Sequence, residues 1–245
     1  SGQFPPRAYC LFGSIDFSYP GHVKPDNCFQ AGDNITAVNY EMGLKGQPLD
    51  YLRFAIALFH TDYKDLPYQV SVTTENGFNT QNLIVDQTSN GVEWESTLLL
   101  GSNFLFNVAV GYINVDVDKG SIPEAQAEFV AAPLTPKWTV TLAPEYTVPL
   151  SSGGSLLLRA DYSFRDAMYG EPTSDPGRYT GIDSRSLVNF DITYKSPDNK
   201  WTLSAYGRNA FNEKYDQGRL NTGDYLLVIL NNDASEFGLR YTNNF

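Results

Sequence analysis

The chain has 245 residues and a formal net charge of −11, from 28 acidic side chains against 17 Lys and Arg, with two His. A phosphate-binding surface needs a basic footprint, so no nucleic-acid partner is expected. Sixteen Tyr, 15 Phe, 20 Gly and 14 Pro, set in short Thr/Val/Leu runs broken by Asn, Asp, Gly and Ser, point to an all-β chain.

The mean hydropathy is −0.31, and apolar runs such as Phe54 to Phe59 and Tyr225 to Leu230 fall short of the ~20 residues of a membrane helix. A membrane-spanning strand needs only ~9–11 residues and alternates apolar with polar, so low hydropathy is compatible with a membrane crossed by strands. The first residues, Ser-Gly-Gln-Phe-Pro-Pro, lack a charged leader followed by an apolar core, so a signal peptide is expected to have been removed or to lie elsewhere.

Residues 1–35 are rich in Pro, Gly and Asn and read as a loop region. They hold both cysteines, Cys10 and Cys28. An oxidising envelope would join them as a disulfide; the other reading is two free thiols. Asp16, Asp26 and Asp33, with Tyr9, Tyr19 and Phe29, decorate this region, either as ordinary solvated loop or as outer contacts for a ligand.

From residue 36 to 245 the sequence alternates apolar and polar positions in nine stretches. The first, near Thr36 to Gly46, sets Val38, Tyr40, Met42 and Leu44 against Asn39, Glu41 and Lys45. The second runs from Tyr51 through Phe54, Ile56 and Leu58 towards Tyr63, extending up to Val72. The third returns from about Gln81 to Leu100, with Glu93 and Glu95 opposite Trp94. Only Gly101-Ser102 separates it from the fourth, Asn103 to Val115, the tightest turn signal in the chain.

The fifth, Lys137 to Val148, and the sixth, Gly154 to Arg165, place Arg159, Asp161 and Arg165 opposite Leu158, Tyr162 and Phe164. The seventh (Arg185 to Lys195), eighth (Lys200 to Asn212) and ninth (Ala234 to Phe245) repeat the pattern. A charged face alternating with an apolar one means that each strand divides two solvents. Connections alternate too: 47–50, 101–102, 149–153 and 196–199 are short, while 116–136, 166–184 and 213–233 are long. Outer-membrane barrels have short periplasmic turns and long extracellular loops. On that topology 1–35 is an extracellular loop region and the last strand descends to the periplasm. Nine is odd, whereas a closed bacterial barrel has an even strand number, so partner strands are expected outside these nine. Treating Tyr225 to Asn231 as a tenth strand is the alternative; a long loop fits the alternation better.

The stretches Ser186 to Tyr194, Trp201 to Tyr215 (with Asn209-Ala-Phe-Asn-Glu-Lys-Tyr) and Glu236 to Phe245 resemble the final three strands of TonB-dependent outer-membrane receptors. Asn39 to Lys45, Ala57 to Leu66 and Gly91 to Glu95 agree, in the family's order. The resemblance implies an antiparallel transmembrane β-barrel segment, the C-terminal portion of a 22-stranded barrel whose plug domain is not in this chain. It departs from the family where Pro-Arg often precedes the last strand and this chain has Ala234-Ser235.

The resemblance implies a Gram-negative outer-membrane receptor that takes up a siderophore, vitamin or glycan by loop binding and plug-gated passage. Its partners would be outer-membrane lipid, the N-terminal barrel strands and plug, TonB acting through the plug, and a small nutrient ligand. Tyr241 and Phe245, on the apolar side of the last stretch, resemble the signal read by the barrel-assembly machinery. Tyr112, Tyr162, Tyr194 and Trp201 sit near strand ends, where aromatic girdles mark the lipid interface. Glu93, Glu95, Arg159, Asp161 and Arg165 point to the lumen, either to touch substrate or plug or to form a solvated wall network.

His22 and His60 lie apart with no ligand-spaced Cys or carboxylate pattern, so no metal site or cofactor is expected. No phosphate loop, nucleophile elbow or His-Glu-x-x-His occurs, and no enzyme is expected. The competing readings are a non-transporting structural barrel component of an envelope assembly, a self-closing ten-stranded barrel serving as pore or hydrolase, and a soluble sandwich.

Overall fold

The computed structural model describes residues 2–3, 34–74, 77–118, 130–221, 225–230 and 234–243. Nine long strands form one antiparallel sheet: β2 (Thr36–Leu49), β3 (Leu52–Thr74), β4 (Gly77–Leu100), β5 (Phe104–Asp118), β6 (Trp138–Pro149), β7 (Ser155–Arg165), β10 (Arg185–Lys195), β11 (Trp201–Arg208) and β14 (Glu236–Asn243). A two-residue strand β1 (Gly2–Gln3) pairs with Thr36 and Ala37 at one edge. The sheet is open: β14 has a single neighbour, β11. Among the described residues the only helical turn is Pro176–Arg178, and no helix is long and apolar enough to cross a membrane.

Because side chains alternate across a strand, the register converts the sequence pattern into continuous rows. Met42, Leu58, Val92, Tyr112 and Trp138 lie side by side across five strands. Val108, Leu142, Tyr162 and Val188 form a central row, and Leu158, Ile192, Ala205 and Leu239 another. This face is apolar and exposed. Exposure climbs from 41% at Ile192 to 70% at Met42 and 77% at Leu239 on the two edge strands, where no further strand covers them.

The apolar band has polar limits. One row beyond Met42 and Trp138 come Tyr40, His60, Asn90 and Asn114, and then Val38, Asp62, Thr88 and Asp116. His60 bonds Asn90 at 2.7 Å and Asp62 at 3.1 Å, and Thr88 donates to Asp62 at 2.9 Å. These groups satisfy one another in water, outside the apolar band.

At the short-turn end β2–β3, β4–β5, β6–β7 and β10–β11 are joined tightly, Gly101 adopting φ 63° where a side chain would be strained. At the other end the hairpin β3–β4 continues past a bulge at Asp65 (φ 58°), whose backbone N–H donates to Asp86 at 3.1 Å. Tyr68, Val85 and Val130 are buried there with Leu66, Leu83 and Val117, so this arm has a small core of its own. Burial drives the Tyr68 phenol up to about 12. The folded arm therefore holds this proton more tightly than the unfolded chain, and its contribution to stability is full below pH ~10 and lost as pH rises towards 12. Phenolate absorbance should show one tyrosine titrating late, together with onset of protease cleavage in the arm; in Tyr68→Phe the late step should vanish.

The long connections carry structure that sequence left as loop. β8 (Met168–Tyr169) pairs with β9 (Gly181–Ile182), and β12 (Asp216–Asn221) with β13 (Leu226–Leu230). The segment Tyr225 to Asn231 is thus largely a strand, but in a separate hairpin and not a tenth member of the main sheet.

Aromatic rings lie over glycines on neighbouring strands: Phe59 over Gly91, and Tyr206 over Gly238. A Cβ at Gly91 would sit 2.1 Å from the Phe59 ring and 2.7 Å from the Tyr112 carbonyl oxygen. Gly91→Ala should cost about 1–3 kcal/mol by overpacking, read as a lower unfolding midpoint in denaturant.

Candidate functional site: the polar wall

The polar face is the other parity of the same strands, and it divides into two parts. On β2–β5, Glu93 and Glu95 project between small neighbours, Ala57 and Gly111 for one and Ala55 and Ala109 for the other. Both carboxylates are exposed. They stand three strands from Arg159 and Asp161 on β7, roughly 14 Å across the sheet at ~4.8 Å per strand.

On β6–β14 the face is a connected network. Arg159 donates to Asp161 through Nη2 at 2.9 Å and through Nε at 3.1 Å, and its Nη1 is 3.8 Å from Glu145. Thr193 donates to Asp191 and shares a 2.6 Å bond with Ser204. Tyr206 donates to Glu236 at 3.0 Å, with the Arg240 guanidinium 5.3 Å and that of Arg208 5.9 Å from its ring centre. A cavity of about 680 Å³ lies among Arg159, Asp161, Tyr206, Tyr215, Glu236 and Arg240. Its lining of charges and aromatics can hold a polar solute or a polar protein surface.

Of the residues singled out from sequence, Arg159 and Asp161 are therefore brought together. Arg165 lies on the same face but four residues along β7, about 13 Å away, and its Nη2 donates to the Asp183 carbonyl at 3.0 Å. Arg185, Tyr206, Arg208, Tyr215 and Glu236 were not among them. Strand parity could have found Arg185, Tyr206 and Arg208. Tyr215 is out of reach of parity, because it follows a turn in which Asn209 donates to the Glu213 carbonyl at 2.9 Å and accepts from its N–H at 2.8 Å.

The aromatics near strand ends fall at two levels of the apolar face. Tyr112 packs on Trp138 at 4.6 Å between ring centres towards the long connections; Tyr162 stands in the central row, with its hydroxyl bonded to Ser186 at 3.2 Å. Tyr194, Trp201 and Tyr241 form a second cluster, at 5.2 Å and 6.1 Å, towards the short turns. Cys10, Cys28 and Phe245 lie outside the described residues.

Beyond the wall, the long connections are knit together. Glu171 is 6% exposed, 3.4 Å from Arg178 Nη2, and accepts from the Asn221 N–H at 3.1 Å. Arg178 donates to the Asn221 carbonyl at 3.1 Å, and the Asn221 amide donates back to the Arg178 carbonyl at 2.8 Å. Gly170 lies against the Arg219 backbone, where a Cβ would come within 2.2 Å of its carbonyl oxygen.

An antiparallel sheet that is apolar on one face and charged on the other, with turns at one end and structured loops at the other, defines a wall of an outer-membrane β-barrel. A family model described as TonB dependent receptor-like, beta-barrel, matches residues 11–210, and the chain belongs to that family. Solved structures agree in fold. The ferric yersiniabactin uptake receptor FyuA of Yersinia pestis superposes with a TM-score of 0.67 at 16% identity, over 86% of this chain and 30% of that one. The ferric-catecholate import receptor Fiu of E. coli K12 gives 0.64 at 17%, over 98% and 31%. The ferric preacinetobactin receptor BauA of Acinetobacter baumannii gives 0.61 at 16%, over 88% and 30%. The chain thus spans about 30% of the length of these structures. No curated protein matches it by sequence.

Proposed function

We propose that this chain is part of the barrel wall of an outer-membrane receptor that binds a scarce nutrient, a siderophore, vitamin or glycan, from outside and passes it inward when TonB acts on a plug. The observation that carries the reading is the parity split: nine strands present a predominantly apolar face to one side and a charged face with paired polar side chains to the other. The three similar structures are named as receptors for ferric yersiniabactin, ferric preacinetobactin and ferric catecholate, which favours an iron chelate among the cargoes. Uptake is binding and gated passage with no bond chemistry.

The open edges at β1/β2 and β14 need neighbouring strands, since unpaired backbone groups in hydrocarbon each cost several kcal/mol. Those strands and the plug come from the same precursor or from a separate chain. Tyr112, Tyr162, Tyr194 and Trp201 are the interface girdles, Tyr241 and Phe245 the assembly signal, and Arg159, Asp161, Arg165, Glu93 and Glu95 the lumen face. Residues 1–35 form an extracellular loop with a Cys10–Cys28 disulfide, consistent with β1 returning to Thr36–Ala37 at the long-connection end.

Uptake of a panel of ferric siderophores, cobalamin and oligosaccharides, with and without this chain and with and without TonB, tests the reading. At least one cargo should require both. If none requires both, the reading is wrong.

A further inference from the structure

The feature that the wall network leaves unexplained is two arginines facing each other. Arg165, last residue of β7, is the direct cross-strand partner of Arg185, first residue of β10, and parity puts both on the polar face. Like charges placed opposite one another repel. Among the described residues neither has a carboxylate within ion-pair distance, whereas Arg159 is paired with Asp161, Arg178 with Glu171 and Arg219 with Asp216. Arg165 has the Asp183 carbonyl at 3.0 Å. The Arg185 guanidinium stacks over the Tyr215 ring at 4.4 Å. The Nε of each is buried and has no hydrogen-bond partner.

Two adjacent guanidinium forks, one oriented by a stacked ring and neither neutralised, match the bidentate geometry of a carboxylate or phosphate. The pair stands at the long-connection end of the wall, at the base of the β7–β10 connection that carries Glu171 and Arg178. We propose that Arg165, Arg185 and Tyr215 form an anion subsite at the outer mouth of the lumen, which reads a carboxylate or phosphate group of the cargo. This rests on the receptor reading and narrows it: a neutral glycan would leave both guanidiniums unpaired, while an acidic small molecule neutralises them.

The test is calorimetric titration of citrate, and separately of inorganic phosphate, into the receptor purified in detergent with the polypeptide that completes its barrel. Wild type, Arg165→Gln, Arg185→Gln and, as a control at the periplasmic turn, Lys200→Gln are compared, each first checked for a heat-modifiable folded band. Affinity for at least one anion should drop about tenfold or more in each arginine variant, stay at wild-type level in Lys200→Gln, and weaken with added salt. Equal binding in all four proteins, meaning an adventitious ion only, overturns the proposal. So does absence of binding to wild type, which would mean that a plug carboxylate already fills the pair. The two readings fail separately: TonB-dependent uptake without an arginine effect on anion binding sinks the subsite alone, and anion binding at the pair without TonB-dependent uptake sinks the receptor.

Discussion

Val108→Arg should abolish accumulation of the folded protein in the outer membrane, whereas Thr141→Arg should not. Val108 is on β5 in the central row with Leu142 and Tyr162, between the Tyr112–Trp138 pair and the aromatics at the short turns. Thr141 is on the adjacent strand with the opposite parity, paired with Ala109. A guanidinium at the bilayer midplane costs about 2–4 kcal/mol, and it also presents a charge to lipid during assembly. On the lumen side the same side chain enters water and should stay within about 0.5 kcal/mol. The heat-modifiable band in isolated outer membranes reports both. Loss in the two variants alike, or in neither, would mean that the faces are not lipid and lumen.

The second large effect is expected at Glu171. Its carboxylate is buried between Arg178 and the Asn221 N–H, so Glu171→Ala removes an ion-pair partner of the Arg178 guanidinium and an acceptor of the Asn221 N–H. Removing one member of a buried pair costs about 3–5 kcal/mol; the Arg178 side chain is 16% exposed, which puts the cost near the low end. The barrel strands do not depend on this node. Amide exchange at Thr180 and Asn221 should rise by two orders of magnitude or more while heat-modifiability is unchanged. The paired variant Glu171→Met with Arg178→Met should recover much of the protection, because it removes both charges.

The nine strands were legible because each divides two solvents, and that constraint writes a period of two into residues such as Trp138, Val140 and Leu142 against Thr139, Thr141 and Glu145. Where the constraint lapses, so does legibility. Leu226-Leu-Val-Ile-Leu230 is apolar at every position and has no parity to read, which hid the β12–β13 hairpin. The extension of β3 and β4 beyond Tyr63 is interrupted by the bulge at Asp65 and by Pro67, both ordinary loop signals, yet the arm persists because Tyr68, Val85 and Val130 give it a core.

The site shows the same division. Arg159 and Asp161 pair because they occupy one strand two residues apart, on the same face. The juxtaposition of Arg165 with Arg185 depends on a register set across a connection of 19 residues, and the stacking of Tyr215 depends on the turn at Asn209 and Asn212, both with positive φ. Neither is a local property of sequence.

Whether this sheet is one part of a larger TonB-dependent barrel is decided by peptide mapping of the folded, heat-modifiable species that contains this chain in native outer membranes. That species should carry plug peptides and additional barrel strands, continuous with this chain or on a second one. A folded species of 27.3 kDa containing this chain and nothing else would contradict it.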